Sequence, residues 1–366
     1  MMGRDEQAVF ALRELYENFG YSRFKMSRFE EYDLYVSNKD FLISDEVITF
    51  TDRSGRLLAM KPDVTLSIIK NAPDSIGEIL KAYYNENVYR VSGGKSFKEI
   101  MQIGLECIGD LSDYEITEVV LLAAKSLALI SNNFIMDISH MGLVSAVLES
   151  GKLSKAGADK ILTHLQKKNV HQIKLICEEE SLSESSKQKL VTLAECFGDR
   201  KSVMNTIAPI LTEEKELKAL TELDNICKIL ERCGFAKKIN IDFSVGNALK
   251  YYSGVVFKGY IEGIPTGILS GGQYDKLLNK MGRKSKAIGF AIYTDLLQRL
   301  EKKYEESIVD AVIIHDGNDI CGVAEAVLAL SEKGKVLALT SLPTTTQWKR
   351  LYKFENGVVK LIEENC

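Results

Sequence analysis

The stretch Val47-Ile48-Thr49-Phe50-Thr51-Asp52-Arg53-Ser54-Gly55-Arg56-Leu57-Leu58-Ala59-Met60-Lys61-Pro62-Asp63-Val64-Thr65 decides the fold. Two short runs rich in β-branched and apolar residues, Val47–Phe50 and Leu57–Met60, flank the turn formers Asp52-Arg53-Ser54-Gly55 and predict a hairpin. Pro62 then opens a helix, since its missing N–H costs nothing in a first helical turn. Asp63 and Thr65 stand at the mouth of that helix, where such side chains ordinarily serve as caps.

Downstream, Val88-Tyr89-Arg90-Val91 and Met101-Gln102-Ile103-Gly104-Leu105-Glu106-Cys107-Ile108 read as two strands around Gly93-Gly94-Lys95-Ser96. So short a link implies antiparallel pairing. Gln102 and Glu106 are four apart on a strand and therefore share a face. Two carboxylates (Asp63, Glu106), an amide and a hydroxyl can thus converge, and carboxylates pair with an α-amino group while a buried acid or tyrosine fixes a ring nitrogen. Taken singly, each has a plainer reading: a salt-bridged glutamate on a sheet, or a helix cap. Gly94-Lys95-Ser96 is no phosphate loop, because Tyr89 stands where the first glycine of that motif belongs and a strand, not a helix, follows.

Upstream, Val9, Leu12, Tyr16 and Phe19 recur at helical spacing between Asp5 and the stop signal Gly20. From about 113 to 130 and about 141 to 235 the pattern is helical, with Ser181–Lys189 a surface loop or helix start. The second block is a helical insertion. Strands resume at Ile239–Phe243, Val255–Tyr260 and Gly267–Ser270, with Gly263-Ile264-Pro265 as a turn, and Ala287–Ala291 leads into a helix through Leu296, Leu297 and Leu300. Tyr251-Tyr252 send their rings to opposite sheet faces, one to a core and one to a pocket. Gly271-Gly272, before Gln273-Tyr274-Asp275, marks a bulge or a close backbone approach. From 306 to 366 a separate α/β unit is expected: strand Val309–Ile314, helix Ala324–Leu330, strand Val336–Thr340 and a short tail.

Composition narrows the function classes. At 366 residues, 45% hydrophobic and 27% charged, with no apolar run of membrane-spanning length, the chain reads as a soluble protein of two or three units. Its start turns acidic at once, unlike a signal peptide, so the cytoplasm is the expected compartment. Seven scattered cysteines form no disulfide or zinc pattern and read as buried reduced thiols. None of the four histidines (140, 164, 171, 315) has a triad or metal partner pattern, so they read as satisfied structural residues. The net charge of -4 gives no global field to attract a polyanion.

In order and over about residues 1 to 300, these pieces resemble the class II aminoacyl-tRNA synthetases, specifically the histidyl-tRNA synthetase branch. Thr49–Arg53 through Pro62–Thr65, Tyr89-Arg90 with Gln102–Glu106, and Tyr251–Phe257 carry the likeness. It implies an α+β fold, an antiparallel sheet flanked by helices with the insertion at about 141–235, and a 306–366 unit that is a trimmed relic of an anticodon-binding domain. It also implies that Asp63, Thr65, Gln102, Glu106, Tyr252 and Tyr274 contact histidine.

The departures fall on activation chemistry. Where the synthetase motif reads Phe-Arg-x-Glu this chain has Tyr89-Arg90-Val91-Ser92; where it reads Arg-Gly-Leu-Asp there is Asn247-Ala248-Leu249-Lys250; and Leu296 replaces an arginine that clamps ATP. Loss of two guanidiniums removes fixed positive charge on which phosphate chemistry rests. Ser27 stands where the family's dimer-seam proline is expected. From Ser307 to Cys366, six Lys and Arg face eight Asp and Glu, a net of -2 that does not suit RNA.

The pattern is similar to the regulatory subunits of ATP phosphoribosyltransferase, paralogues of the synthetase. That resemblance implies a noncatalytic subunit without cofactor or metal, required for the first step of histidine biosynthesis. Its partners would be the short-form catalytic subunit, in a hetero-oligomer containing its own dimer, and L-histidine as feedback effector; neither tRNA nor membrane is implied. Arg90 is then assigned the histidine carboxylate. The alternatives are a divergent histidyl-tRNA synthetase and a free-standing histidine-binding protein. Whether histidine occupies the synthetase-like pocket or a subunit boundary, and where the partner docks, stay open at the level of sequence.

Overall fold

The computed structural model describes residues 4–42, 47–72, 77–92, 96–246, 251–300, 309–342 and 346–365. It divides into two units, 1–300 and 301–366.

In the first unit, helix α1 (Arg4–Asn18) leads into β1 (Ser22–Arg23). Strands β2 (Phe29–Glu31), β3 (Thr49–Thr51) and β4 (Leu57–Met60) make a small antiparallel sheet in the order β2-β4-β3, with α2 (Tyr32–Val36) following β2. The expected hairpin is β3–β4, and Asp52 ties its turn by accepting from Ser54 N at 2.8 Å and Arg56 N at 2.9 Å. Pro62 does not open the next helix. α3 (Thr65–Asn71) begins three residues later, because the Asp63 carboxylate accepts from Leu66 N at 3.0 Å and fixes the start there.

β5 (Ile79–Ser92) and β6 (Ser96–Gly109) are fourteen-residue strands paired antiparallel along their full length, far longer than their apolar centres predict. α4 (Asp113–Ile130), started by a Ser112/Glu115 capping box, packs with α1 on one face of the sheet. β7 (Phe134–His140) follows, a strand the sequence pattern left unassigned. The insertion then supplies α5 (Met141–Ser150), α6 (Lys155–Gln166), α7 (Val170–Glu179), α8 (Glu184–Glu195), β8 (Phe197–Gly198), α9 (Arg200–Ile207) and α10 (Glu214–Leu230). Five of these helices, α5 to α9, start at a capping side chain: His140, Ser154, Asn169, Ser183 and Asp199 accept from the backbone N–H three residues on. The insertion is therefore helical except for β8, which joins the sheet edge.

β9 (Ile239–Asp242), β10 (Val255–Ile261), β11 (Leu269–Gln273), α11 (Asp275–Lys280) and β12 (Lys286–Tyr293) complete the unit, and a 3-10 segment, Thr294–Leu300, stands where an α-helix is expected. The nine-stranded order is β1-β5-β6-β12-β11-β10-β7-β9-β8. The expected antiparallel pairing holds through the middle, while β1–β5 and β7–β9 are parallel. Parallel neighbours need a long crossover, and between β7 and β9 the helical insertion is that crossover. The result is an α+β fold, a mixed sheet flanked by helices.

In the second unit, β13 (Val309–Ile314), α12 (Ile320–Ser331), β14 (Val336–Leu339), β15 (Trp348–Glu355) and β16 (Val358–Glu364) form a sheet in the order β14-β13-β15-β16, with Ile313, Val323, Ala326 and Phe354 as its core. The expected tail is a β-hairpin. Asn356 and Gly357 both have positive φ (53 and 75), the backbone that a two-residue Asn-Gly turn adopts.

Two other expectations are corrected. Cys107, Cys177, Cys196 and Cys227 are buried, but Cys233 and Cys321 are exposed, and Cys366 lies outside the described residues. His140 is a satisfied structural histidine: its Nδ1 accepts from Leu143 N at 3.2 Å to cap α5, and its Nε2 meets Glu222 at 3.2 Å. His164 and His315, in contrast, each leave a buried Nδ1 without a hydrogen-bond partner among the described residues.

Candidate functional site

The sheet face opposite α1 and α4 carries a pocket whose floor follows from strand parity. On β6, Gln102, Gly104 and Glu106 share a face, and the register sets them against Tyr293, Ala291 and Gly289 of β12. Small residues leave the space. A side chain on Gly289 would start 1.7 Å from Glu106 Oε2, and one on Gly104 would start 2.6 Å from the Tyr84 hydroxyl. The paired glycines on β11 are a close approach and no bulge: a Cβ on Gly272 would lie 2.8 Å from the Tyr252 ring, and the β10–β11–β12 register is regular.

All seven sequence-selected residues line this one pocket: Asp63, Thr65, Arg90, Gln102, Glu106, Tyr252 and Tyr274. Glu106, 2% exposed, is held on both oxygens, by Thr65 Oγ1 at 2.7 Å and by the Tyr274 hydroxyl at 2.5 Å. Burial pushes its carboxyl up from the usual 4.5 to about 8; the two hydroxyl hydrogen bonds oppose the rise and the neighbouring Asp63 adds to it. Burial likewise raises the Asp63 carboxyl, against the Leu66 backbone N–H and the Arg90 charge. Arg90 is the one basic residue among the described lining residues, and its Nε donates to Pro62 O at 3.0 Å. The pocket thus holds one buried acid, Glu106, and one half-buried acid, Asp63, and no ion pair to either is formed within the described residues.

The tyrosine pair differs from expectation. Tyr251 and Tyr252 precede β10 and do not alternate across a sheet; both rings line the pocket, 4.5 Å apart. Sequence reasoning also missed Tyr84, Phe41 and Tyr293 as lining residues. Tyr84 was available from parity, being six residues before Arg90 on the same strand. Phe41 carried no local signal.

Of the departures from the synthetase pattern, Ser92 closes β5 and pairs with Ser96, while Asn247–Lys250 lie outside the described residues. Leu296 is half-buried and packs against the core, so an apolar contact stands where the family's clamp is charged. A second, mainly apolar cleft lies between α4 and α10, lined by Phe19, Tyr114, Leu121, Ile226 and Ile229 among others. Its buried acid, Glu118, is already paired with Lys81 at 2.6 Å. Unpaired buried acid therefore distinguishes the first pocket.

A family model described as histidyl-tRNA synthetase matches residues 2–297. An ATP phosphoribosyltransferase regulatory subunit from Clostridium botulinum is 31% identical over 309 residues, 82% of this chain and 72% of that protein. Among solved structures, an ATP phosphoribosyltransferase regulatory subunit/histidyl-tRNA synthetase from Bacillus halodurans superposes with a TM-score of 0.75 at 25% identity, covering 92% of this chain and 88% of that one. A chain of the ATP phosphoribosyl transferase (HisG:HisZ) complex from Thermotoga maritima shares the fold, with a TM-score of 0.64 at 20% identity over 80% of this chain and 98% of that one.

Proposed function

The chain belongs to the histidyl-tRNA synthetase family, in the branch of ATP phosphoribosyltransferase regulatory subunits, and from that premise we propose that its pocket senses L-histidine on behalf of a separate catalytic subunit. The regulatory subunit of this branch is noncatalytic, and its output is the activity of an ATP phosphoribosyltransferase catalytic subunit. The finer reading is ours: the partner is the short-form catalytic subunit, the assembly contains a dimer of this chain and works in the cytoplasm, and tRNA has no part in it. Among the described residues no helix is long and apolar enough to cross a membrane.

One observation carries the histidine assignment. Glu106, buried, and Asp63, half-buried, are acids on a shared pocket, held by neutral donors and lacking an ion pair among the described residues. Burying carboxylates without a cation is costly, so the pocket favours a ligand that brings positive charge. Histidine brings an ammonium group and a ring that accepts or carries a proton. In this reading Asp63 and Gln102 take the ammonium group, Glu106 with Tyr274 takes a ring nitrogen, and Arg90 takes the carboxylate. Feedback follows from linkage: histidine inhibits the partner to the extent that it binds the inactive state of the assembly more tightly than the active one.

Calorimetric titration of histidine into wild type and Glu106→Ala tests the site. Removing one partner of a desolvated charged contact costs about 2–5 kcal/mol, so binding should weaken about thirtyfold or more. Unchanged affinity in the variant removes the pocket assignment. Histidine-dependent exchange of pyrophosphate into ATP above background would instead favour a divergent synthetase.

A further inference from the structure

Charge alone selects poorly. Asp63 and Glu106 attract an ammonium on any flexible chain as readily as one beside an aromatic ring, so discrimination must come from the uncharged wall. That wall is built of rings. Phe41 and Tyr251 lie 4.3 Å apart between centroids, Tyr251 and Tyr252 4.5 Å, and Phe41 and Tyr274 6.5 Å. Each of these residues lines the pocket that holds Asp63 and Glu106.

Phe41 differs from the other three. The tyrosines carry hydroxyls that can bond to protein, as Tyr274 does to Glu106, whereas Phe41 offers only the face and edge of a ring. It also comes from elsewhere, the short 3-10 turn Lys39–Phe41 that follows α2, and not from the floor strands. That turn is held independently of any ligand: Phe41 N donates to Asn38 O at 3.0 Å, Asn38 Nδ2 donates to Leu34 O at 2.9 Å, and Tyr35 of α2 is buried in the core. Phe41 is 6% exposed and lines the pocket.

We propose that Phe41 is a specificity-determining residue of the pocket, placing an aromatic surface against a flat imidazole ring and so favouring an imidazole-bearing amino acid over one whose side chain has no ring to stack. A ring held against a second ring gains attraction that an aliphatic side chain of similar volume does not supply. The inference rests on the histidine reading above.

The test uses the full chain in three forms. In wild type, calorimetry measures histidine affinity; absence of binding there overturns the histidine reading and this inference with it. Phe41→Leu, which keeps bulk and loses the ring, should bind histidine about tenfold more weakly while retaining the wild-type circular dichroism spectrum. Phe41→Trp in a Trp348→Phe background places the chain's one tryptophan in the pocket. It should keep affinity within about threefold, and its emission should change along the same saturation curve that calorimetry gives. Wild-type affinity in Phe41→Leu, or an emission that does not move at saturation while histidine binds, overturns the inference and leaves Phe41 as core packing. Should Phe41→Leu fail to fold, the tryptophan emission decides alone.

Discussion

Two glutamates, both buried, show how differently this molecule uses one residue type. In the helical insertion, Glu216 is fully buried and accepts from Lys189 at 2.8 and 2.9 Å, from Ser150 Oγ at 2.8 Å, and from the backbone N–H groups of Thr212 and Glu213. Burial would raise its carboxyl; the lysine, the serine and the amides outweigh that and hold it below its usual range. In the pocket, Glu106 is as deeply buried, has only two hydroxyls, and rises to about 8. Completed coordination marks a structural group. Incomplete coordination on a pocket marks a group that awaits a partner.

The largest expected effect comes from breaking the completed case. Lys189→Met leaves Glu216 buried and without its cation, and should cost about 3–5 kcal/mol in urea denaturation, since a broken buried pair strands a charge. A loss below about 1 kcal/mol would mean that the hydroxyl and amides suffice, and the contrast with Glu106 would weaken.

Next is the pH dependence of the incomplete case. The Glu106 carboxyl titrates near 4.5 unfolded and near 8 folded, so the folded chain holds the proton more tightly. Its contribution to stability is full below about 4.5, falls as pH rises through that window, and is flat above about 8. Glu106→Gln keeps the shape without the titration, and the wild-type-minus-variant difference should move by on the order of 4–5 kcal/mol across the window. Parallel pH profiles for the two proteins would sink the claim. Saturating histidine should reduce the wild-type slope, because a cationic partner offsets the cost of the charged carboxylate.

The smallest effect sharpens the geometry. Gly289→Ala places a methyl 1.7 Å from Glu106 Oε2 and 2.6 Å from Leu105 O, so carboxylate and strand must both shift. Overpacking of this kind costs about 1–3 kcal/mol, and histidine affinity should drop with it. An alanine variant with wild-type affinity would show that Glu106 need not sit where it does.

Much of the site was legible because strand parity is local. The four-residue spacing of Gln102 and Glu106 put both on one face, and Asp63 and Thr65 were visible at a helix mouth, although the helix begins later than Pro62 suggested. Asn356-Gly357 was an equally readable turn signal, and it closes the hairpin that the tail becomes. β7 escaped because its seven residues lie between two long helical patterns. The alternation argument failed for Tyr251 and Tyr252 because they precede the strand, and period two applies only within one.

The sequence by itself determined the residue types, the face each strand residue takes, the caps that start the insertion helices, and the family to which the chain belongs. Only the tertiary structure decided which glutamate is complete. Glu106 receives its hydroxyls from Thr65, 41 residues away, and Tyr274, 168 residues away, while Lys189 reaches Glu216 across 27. Desolvation and pairing depend on every atom that surrounds a group, and those atoms come from segments whose meeting no local pattern encodes. Phe41 entered the pocket wall in the same way, through the return of a distant turn.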